Sequence, residues 1–119
     1  MNVEAAELAD RLGDPGLTVL DVRRESEYDG SGGAACDPRQ GHIPGARNLD
    51  LGQLAQCETA EQVQELVGLP AGAEIVAYCH SGSRSALAVQ ILSAAGYHAR
   101  NYVGSWHEWS RRDELPLET

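Results

Sequence analysis

The sequence predicts a three-layer α/β fold, in which a central parallel sheet of about four to five strands carries helices on both faces. Short apolar runs that suit β-strands alternate with segments whose apolar residues recur at helical spacing. Glycines and prolines stand between these segments and mark where each one ends. Alternation of this kind indicates parallel strands, because the connecting helices must cover both faces of the sheet.

The first third of the chain is predicted to hold a helix, a strand and a helical turn. Asn2 is a residue type that caps helices, so a helix is expected over residues 3–12, and Gly13 stops it. Residues 17–22 form a compact apolar run between turn residues, which is typical of a buried strand. A short helical turn is expected over residues 25–28.

The middle third begins with a long loop. Residues 29–45 are rich in glycine, and a connection of this length is more often functional than accidental. A short strand is expected over residues 47–49, followed by helical pieces. Thr59 and Gln62 then form a capping box for a helix over residues 60–67.

The last third returns to the strand and helix alternation. Residues 74–78 predict the central strand, and an apolar helical pattern over residues 85–95 follows it closely. Another strand is expected over residues 99–103. Ser105 with Glu108 is then expected to cap a last short helix.

Length and charge limit the classes of function. The 119 residues are interpreted as one domain, residues 1–119, with enough apolar sequence for a single core. The formal net charge of −9 argues against a nucleic-acid partner, because phosphate binding requires a basic surface. The sequence also lacks an apolar run of bilayer length and a signal-peptide pattern at its start. We therefore expect no membrane association and a cytoplasmic location.

The cysteines support the same location. Cys36, Cys57 and Cys79 are odd in number and widely spaced, which fits neither a disulfide framework nor a zinc site. Free thiols of this kind suit a reducing cytoplasm. The spacing alone gives no evidence that Cys36 or Cys57 has a redox role.

Cys79 carries the strongest chemical signal, because it stands between the predicted central strand and the helix after it. Backbone N–H groups at the start of a helix lack intrahelical partners, and the helix dipole favours negative charge there. A thiolate is stabilised in such a position, so the pKa of Cys79 should fall. The simpler alternative is a small buried core residue, but a core residue would not require the polar and glycine-containing loop that follows.

That loop is predicted to bind an anion. Its successive backbone N–H groups can point into one concavity, which is the arrangement of an anion-binding nest. Gly82 permits a positive φ or a close backbone approach where the loop must curl. His80 and Ser81 are expected to shape the mouth of the pocket. The loop consists of His80, Ser81, Gly82, Ser83, Arg84 and Ser85.

The spacing of the loop discriminates between two kinds of cysteine chemistry. Tyrosine and dual-specificity phosphatases place five residues between their cysteine and arginine, whereas four separate Cys79 from Arg84. The shorter loop encloses a smaller space, which suits a sulfur atom better than a phosphate. Arg84 itself is expected either to draw anions to the pocket or to pair with an acidic neighbour.

Several blocks of the chain together resemble the rhodanese sulfurtransferases. The loop from Cys79 resembles their active-site loop, and Asp-Val-Arg at 21–23 ends an earlier strand. Asp-Pro-Arg-Gln-Gly-His-Ile-Pro-Gly-Ala at 37–46 is similar to the hallmark loop of the family. The segments 104–109 and 115–117 are similar to the closing segment of two-domain thiosulfate and mercaptopyruvate sulfurtransferases.

The resemblance implies a reaction. Cys79 would take a sulfane sulfur from thiosulfate or a similar donor as a persulfide, and then pass it to a thiophilic acceptor such as cyanide or a thiol. It implies no cofactor and no metal. Two alternatives stay open: a sulfur carrier that delivers the persulfide sulfur to a dedicated protein partner, and a non-catalytic regulatory module that only binds partners. The presence of Cys79 argues against the second, because such modules commonly lack the nucleophile.

Four supporting residues have alternative roles. Asp21 and Arg23 form either an internal ion pair or a substrate contact. His42 is more typical of a hydrogen bonder that locks its loop than of a base. Trp106 packs on the core or rims the pocket. Two-domain members of the family carry a substrate-binding arginine where this chain has Glu27, which weakens the expectation of efficient thiosulfate use.

Overall fold

A four-stranded parallel sheet lies at the centre of the molecule. The computed structural model describes residues 2–119. The strands are β1 (Leu17–Asp21), β2 (Arg47–Asn48), β3 (Glu74–Tyr78) and β4 (His98–Asn101). Their order across the sheet is β2, β1, β3, β4, and every neighbouring pair is parallel. The carboxyl ends of β1 and β3 therefore lie side by side, with Asp21 opposite Tyr78.

Within residues 2–119, six helices connect and cover the strands. They are α1 (Ala5–Asp10), α2 (Glu25–Tyr28), α3 (Leu51–Ala55), α4 (Ala60–Val67), α5 (Ser83–Ala94) and α6 (Ser105–Trp109). The cap predicted for α4 is present, because the Thr59 hydroxyl accepts the Gln62 N–H, and Gly68 ends the helix at a φ of 74°. Within residues 2–119, no helix combines the length and apolar character needed to cross a membrane.

Each face of the sheet builds its own core. Ile75 and Ala77 of β3 pack in one buried cluster with residues of α3, α4 and α5. Val76 and Tyr78 point to the other face and pack with residues of α1, α6 and the 29–45 loop. This alternation follows from the two-residue period of a strand. The predicted α/β fold with helices on both faces is confirmed.

The beginning of the chain differs from the prediction. Asn2 does not cap the first helix, because the N-cap is Glu4 and the helix begins at Ala5. Asn2 instead forms a parallel bridge to Asn101 at the edge of the sheet, and the Val3 N–H donates to the Asn101 carbonyl at 2.9 Å. The edge strand of a sheet has backbone N–H and C=O groups without partners, and pairing with the start of the chain gives some of them hydrogen bonds.

The segment around Ser105 also differs. β4 ends at Asn101 instead of continuing to residue 103, and Ser105 lies inside α6 with a positive φ of 54°, not at its cap. Its hydroxyl donates to the Tyr102 carbonyl at 2.8 Å and accepts the Cys79 N–H at 3.1 Å. The serine that resembled a cap therefore supports the loop over residues 80–85, called the reactive loop below.

The 29–45 loop is held by its arginine. The Arg39 guanidinium donates to four backbone carbonyls at the end of α6 and beyond it, at 2.7 to 3.1 Å. The acceptors are Trp109, Ser110, Arg112 and Leu115. The last carbonyls of a helix lack intrahelical partners, so a cation there satisfies them. The loop and the C-terminal segment thus form one packed unit.

Candidate active site

Cys79 lies directly after β3, at the bottom of a tight turn into α5. Its Sγ accepts hydrogen bonds from the Gly82 N–H at 3.1 Å, the Ser85 N–H at 3.4 Å and the Ser85 hydroxyl at 3.3 Å. The residue is only 1% exposed, whereas Ser81 and Ser83 of the same loop are exposed. The sulfur is thus recessed beneath its own loop and surrounded by donors.

Gly82 determines how closely the loop can curl. Its φ is +95°, and a β-carbon added there would lie 2.8 Å from the Val103 carbonyl oxygen. The Gly82 carbonyl accepts a hydrogen bond from the Asn101 side chain at 3.1 Å. The position therefore requires glycine for both its backbone conformation and its contact with the next segment.

The pKa of Cys79 is set by two opposing effects. Burial by itself raises the pKa of the thiol, because the charged form loses its hydration. Hydrogen bonds from the Ser85 hydroxyl and from the Ser85, Gly82 and Ser81 N–H groups lower it. The donors prevail, so the pKa of Cys79 lies below its ordinary value. A nucleophilic thiolate is therefore available nearer to neutral pH.

Arg84 has an acidic partner. Its guanidinium makes a two-pronged contact with the Glu27 carboxylate, at 2.9 Å and 3.2 Å. Burial raises the pKa of Glu27, but the hydrogen bonds from Arg84 and the Arg24 N–H, together with the charges of Arg84 and Arg23, outweigh it, so the pKa lies below its ordinary value. Pairing with an acidic neighbour is the second of the two roles expected for Arg84. The ion pair neutralises one positive charge beside the loop.

Asp21 and Arg23 form a buried ion pair. The Arg23 Nη2 lies 2.7 Å from the Asp21 carboxylate and 2.6 Å from the Gly41 carbonyl oxygen. The Arg23 side chain is 1% exposed and that of Asp21 0%, and the Tyr78 hydroxyl donates to Asp21 at 2.8 Å. The contacts are those of the internal ion pair, which binds the hallmark loop to the sheet.

Trp106 belongs to the same buried group. Its side chain is fully buried, and its ring lies 5.1 Å from the Arg23 guanidinium carbon. The indole N–H donates to the Arg39 carbonyl at 3.1 Å. Of the two roles expected for this residue, the structure favours packing on the core.

His42 is held by stacking and hydrogen bonds to neighbouring segments. Its ring stacks on Tyr28, with centroids 3.7 Å apart, and its Nδ1 lies 2.8 Å from the Tyr28 carbonyl oxygen. Its backbone exchanges two hydrogen bonds with Glu118. These contacts tie α2, the hallmark loop and the C-terminal segment together.

His80 and Ser81 directly follow Cys79 and are at least partly exposed. The His80 ring is partly exposed, with Nε2 3.1 Å from an oxygen of Asp37, and it meets the His107 ring edge-on at 5.5 Å.

Two open grooves of about 220 and 430 Å³ lie around Cys57, on a different part of the surface. Sequence reasoning did not assign Ser105, Asn101 or Asp37 to the site.

The family of this chain follows from its sequence. A model of the rhodanese-like domain matches residues 4–112. The chain therefore belongs to the rhodanese-like domain family, and the predicted resemblance to that family is confirmed.

Relatives of this chain are named sulfurtransferases or a sulfur carrier protein. The chain is 37% identical over 127 aligned residues to a probable 3-mercaptopyruvate sulfurtransferase of Pseudomonas aeruginosa, covering 98% of this chain and 44% of that protein. It is 36% identical to a thiosulfate sulfurtransferase of Azotobacter vinelandii, covering 93% and 43%. The sulfur carrier protein TtuD of Thermus thermophilus is 32% identical, covering 83% and 40%. The chain thus spans about two fifths of the length of these curated relatives.

Solved structures share the fold. A crystal structure of a probable thiosulfate sulfurtransferase matches with a TM-score of 0.84 and 42% identity, covering 98% of this chain and 47% of that one. The anaerobic ergothioneine biosynthesis enzyme of Chlorobium limicola matches with a TM-score of 0.86 at 22% identity, covering 99% and 28%. At that identity the second match shows the fold alone.

Proposed function

We propose that this chain transfers a sulfane sulfur through a persulfide on Cys79. The observation that carries the proposal is the set of three donors on the Cys79 sulfur, two from the backbone and one from the Ser85 hydroxyl. Donors held in place before the reaction stabilise both the attacking thiolate and the persulfide anion that replaces it. Membership of the rhodanese-like family supports the same chemistry.

The proposed reaction consists of two displacements. The Cys79 thiolate attacks the outer sulfur of thiosulfate, a sulfur–sulfur bond forms to Cys79, and the sulfur–sulfur bond of thiosulfate breaks as sulfite leaves with its electron pair. A thiophile such as cyanide then attacks the terminal sulfur of the persulfide, forms thiocyanate and returns the thiolate. Neither step transfers a proton, so a preformed thiolate is sufficient and ping-pong kinetics are expected.

The natural donor is proposed to differ from free thiosulfate in charge or size. Glu27 is paired with Arg84, so the rim next to Cys79 presents a neutralised pair in place of a free cation. A doubly charged anion gains little attraction from such a rim, within a protein whose formal net charge is −9. Thiosulfate is therefore used as the test substrate. A similar donor with less charge is proposed to suit this rim better.

A sulfur carrier is the second candidate. One relative, at 32% identity, is named a sulfur carrier protein. Delivery to a dedicated protein partner would use the same Cys79 persulfide, but free cyanide or small thiols would remove the sulfur slowly. Steady-state turnover with thiosulfate and cyanide supports the enzyme, whereas one loading event without fast release supports the carrier. A non-catalytic binding module would neither turn over nor gain sulfur.

Intact-mass measurement after exposure to thiosulfate tests the proposal. We expect one added sulfur atom per wild-type chain, and none on Cys79→Ser, because a hydroxyl cannot hold the sulfane sulfur. Cys57→Ser is the matched control, and it should load as the wild type does. A sulfur adduct that persists on Cys79→Ser, or its absence from the wild type, would reject the assignment.

We further propose that residues 1–119 act as one domain in the cytoplasm. Together the two buried clusters draw on elements from α1 to α6, on the two faces of one sheet, so the sheet and its helices form one packed body. Limited proteolysis should leave a single resistant fragment that contains all the strands from β1 to β4. A stable fragment that ends between β2 and β3 would contradict this organisation.

A further inference from the structure

We propose that Cys36, Asp37 and His80 form a binding site for a thiophilic divalent transition metal such as zinc. Each residue offers one ligand atom, and the three atoms lie within 4.8 Å of one another. Cys36 and Asp37 come from the 29–45 loop, and His80 comes from the reactive loop. The site uses none of the donors to the Cys79 sulfur, which are Ser81, Gly82 and Ser85, although His80 belongs to the same loop as these donors.

The distances suit a small metal ion. The His80 Nε2 lies 3.0 Å from the Asp37 Oδ2, and the Cys36 Sγ lies 3.9 Å from the Asp37 Oδ1. Ligands bound tetrahedrally to zinc at about 2.0 to 2.3 Å stand roughly 3.3 to 3.6 Å from each other. The His80 and Asp37 atoms are therefore already close to this spacing, and the Cys36 sulfur, which lies within 4.8 Å of both, would move toward them by no more than about 1.2 Å.

A buried oxygen of Asp37 lacks a hydrogen bond. Asp37 is 5% exposed, and among residues 2–119 no hydrogen bond is made to its Oδ2: the His80 Nε2 lies 3.0 Å from Oδ2, but its hydrogen-bond contact, at 3.1 Å, is with Oδ1. A buried carboxylate oxygen without a donor is costly, and such groups usually have a partner. A cation between Asp37 and His80 would provide that partner.

Arg111 holds the ligands in position. Its Nη1 donates to the Asp37 Oδ1 at 2.8 Å, and its Nη2 donates to the Cys36 carbonyl at 2.9 Å. These contacts orient the carboxylate so that Oδ1 is occupied and Oδ2 is left for the ion. Outer partners of this kind position ligands in metal sites. The positive charge of Arg111 also reduces the attraction for a cation, so we expect an exchangeable site.

The donor atoms select the class of metal. One sulfur, one nitrogen and one carboxylate oxygen match zinc and related ions, whereas magnesium and calcium prefer oxygen alone. On binding, the Cys36 thiol gives its proton to the buffer and the thiolate becomes a ligand. Cys36 is exposed, which gives an ion a path to the site. Three protein ligands leave a fourth position open.

Titration with cobalt(II) and zinc(II) tests the site. The starting protein is the full chain carrying Cys79→Ser, so that the nucleophile cannot act as a ligand. We expect one ion per chain and, with cobalt, an ultraviolet thiolate-to-metal charge-transfer band. Adding Cys36→Ser should abolish the band and weaken binding by more than about tenfold, because loss of an outer partner alone costs that much.

His80→Gln supplies the second variant, and it should weaken binding by a similar factor. The matched control is Cys57→Ser, which should bind as the starting protein does. Circular dichroism verifies that each variant is folded. Binding that survives both Cys36→Ser and His80→Gln, or a band that depends on Cys57, would overturn the proposal.

Discussion

At the scale of the residue, the chemistry of Cys79 depends on a contest between burial and hydrogen bonding. Burial raises the pKa of the thiol, while donors from Ser85, Gly82 and Ser81 lower it further than burial raises it. Two of the three donors that contact the sulfur belong to Ser85. Ser85 is therefore a positioning residue for the thiolate, and its hydroxyl is the part that substitution can remove.

Ser85→Ala should raise the pKa of Cys79. The change removes a hydrogen bond to a charged group, worth about 1.5 kcal/mol, and so lowers the thiolate fraction about tenfold below the titration midpoint. The rate of iodoacetamide alkylation at Cys79 should fall by that factor in this pH range. Ser83→Ala, an exposed position in the same loop, is the control and should alkylate as the wild type does. Equal rates for both variants would mean that the hydroxyl does not stabilise the thiolate.

Glu27→Gln should make sulfur loading from thiosulfate faster. The substitution removes the carboxylate that neutralises Arg84, while the amide oxygen can still accept the Arg24 N–H. One unit of charge acting on a doubly charged anion about 8 Å away in water changes its energy by about 1 kcal/mol, or about fivefold in rate. The measurement is the second-order rate constant for loading at low ionic strength.

Glu25→Gln provides the control, because Glu25 is an exposed residue of the same helix α2. It should change the loading rate much less, and added salt should reduce the advantage of Glu27→Gln. A loading rate that is unchanged in Glu27→Gln would show that the ion pair does not limit entry of the anion.

At the scale of the element, the site is the junction of β3, the reactive loop and α5. The strand delivers Cys79 to the carboxyl edge of the sheet, and the helix begins at Ser83, only four residues later. The turn between them is possible because Gly82 adopts a φ of +95° and lies against Val103. The conformation of one residue thus directs several N–H groups at the sulfur.

Gly82→Ala should open this turn. A left-handed conformation costs an alanine about 1 to 2 kcal/mol, and here its methyl group would also press on the Val103 carbonyl. We expect the rate of sulfur loading to fall more than about tenfold, because displaced N–H groups no longer stabilise the thiolate.

Gly72→Ala is the matched control. Gly72 has a similar φ of +86°, but a β-carbon there would meet no atom within 4 Å in the part of the chain that the structure describes. It should lose a similar amount of stability to backbone strain and keep its loading rate. If Gly82→Ala and Gly72→Ala load sulfur equally well, the close approach to Val103 does not shape the site.

The local elements could be predicted where local chemistry decides them. The helix over 60–67 and the strand over 74–78 match the structure because a side-chain cap and a short apolar run act within a few residues. Asn2 and Ser105 were wrongly assigned as caps. Their partners, Asn101 and Cys79, lie far away in the sequence, and long-range pairing replaced the local role that the pattern favoured.

At the scale of the whole molecule, the hallmark loop connects the sheet to the C-terminal segment. Arg23 reaches the Gly41 carbonyl from the buried ion pair, and Arg39 binds four carbonyls at and after α6. His42 adds two backbone hydrogen bonds to Glu118. These long-range contacts keep the 29–45 loop beside the reactive loop.

Arg39→Ala should destabilise the protein without changing its chemistry directly. Four carbonyls lose a charged donor, and water replaces it only in part, so we expect the free energy of unfolding to fall by about 2 kcal/mol. Urea denaturation measures the change. Arg112→Ala is the control, because Arg112 is exposed and its closest carboxylate contact, to Glu114, is 4.0 Å long. Equal stability of the two variants would contradict the anchoring role of Arg39.

The part of the site that is continuous in the sequence could be predicted, whereas the part assembled from distant segments could not. Cys79 and its loop could be recognised because the donors follow the nucleophile directly in the sequence. Glu27 is 57 residues from its partner Arg84, and Asp37 is 43 residues from His80. Such pairs depend on how the sheet and loops pack together, which short-range patterns do not encode.

Ultraviolet titration of the Cys79 thiolate tests the central claim most directly. Cys36→Ser and Cys57→Ser are combined so that one thiol remains, and the same protein with Cys79→Ser supplies the baseline. An ordinary thiol has its absorbance midpoint near pH 8.5. The main-chain and hydroxyl donors around Cys79 should place its midpoint below that pH. A midpoint at or above that pH would contradict the account, because the sulfur would then be a neutral, buried thiol under the conditions in which it must react.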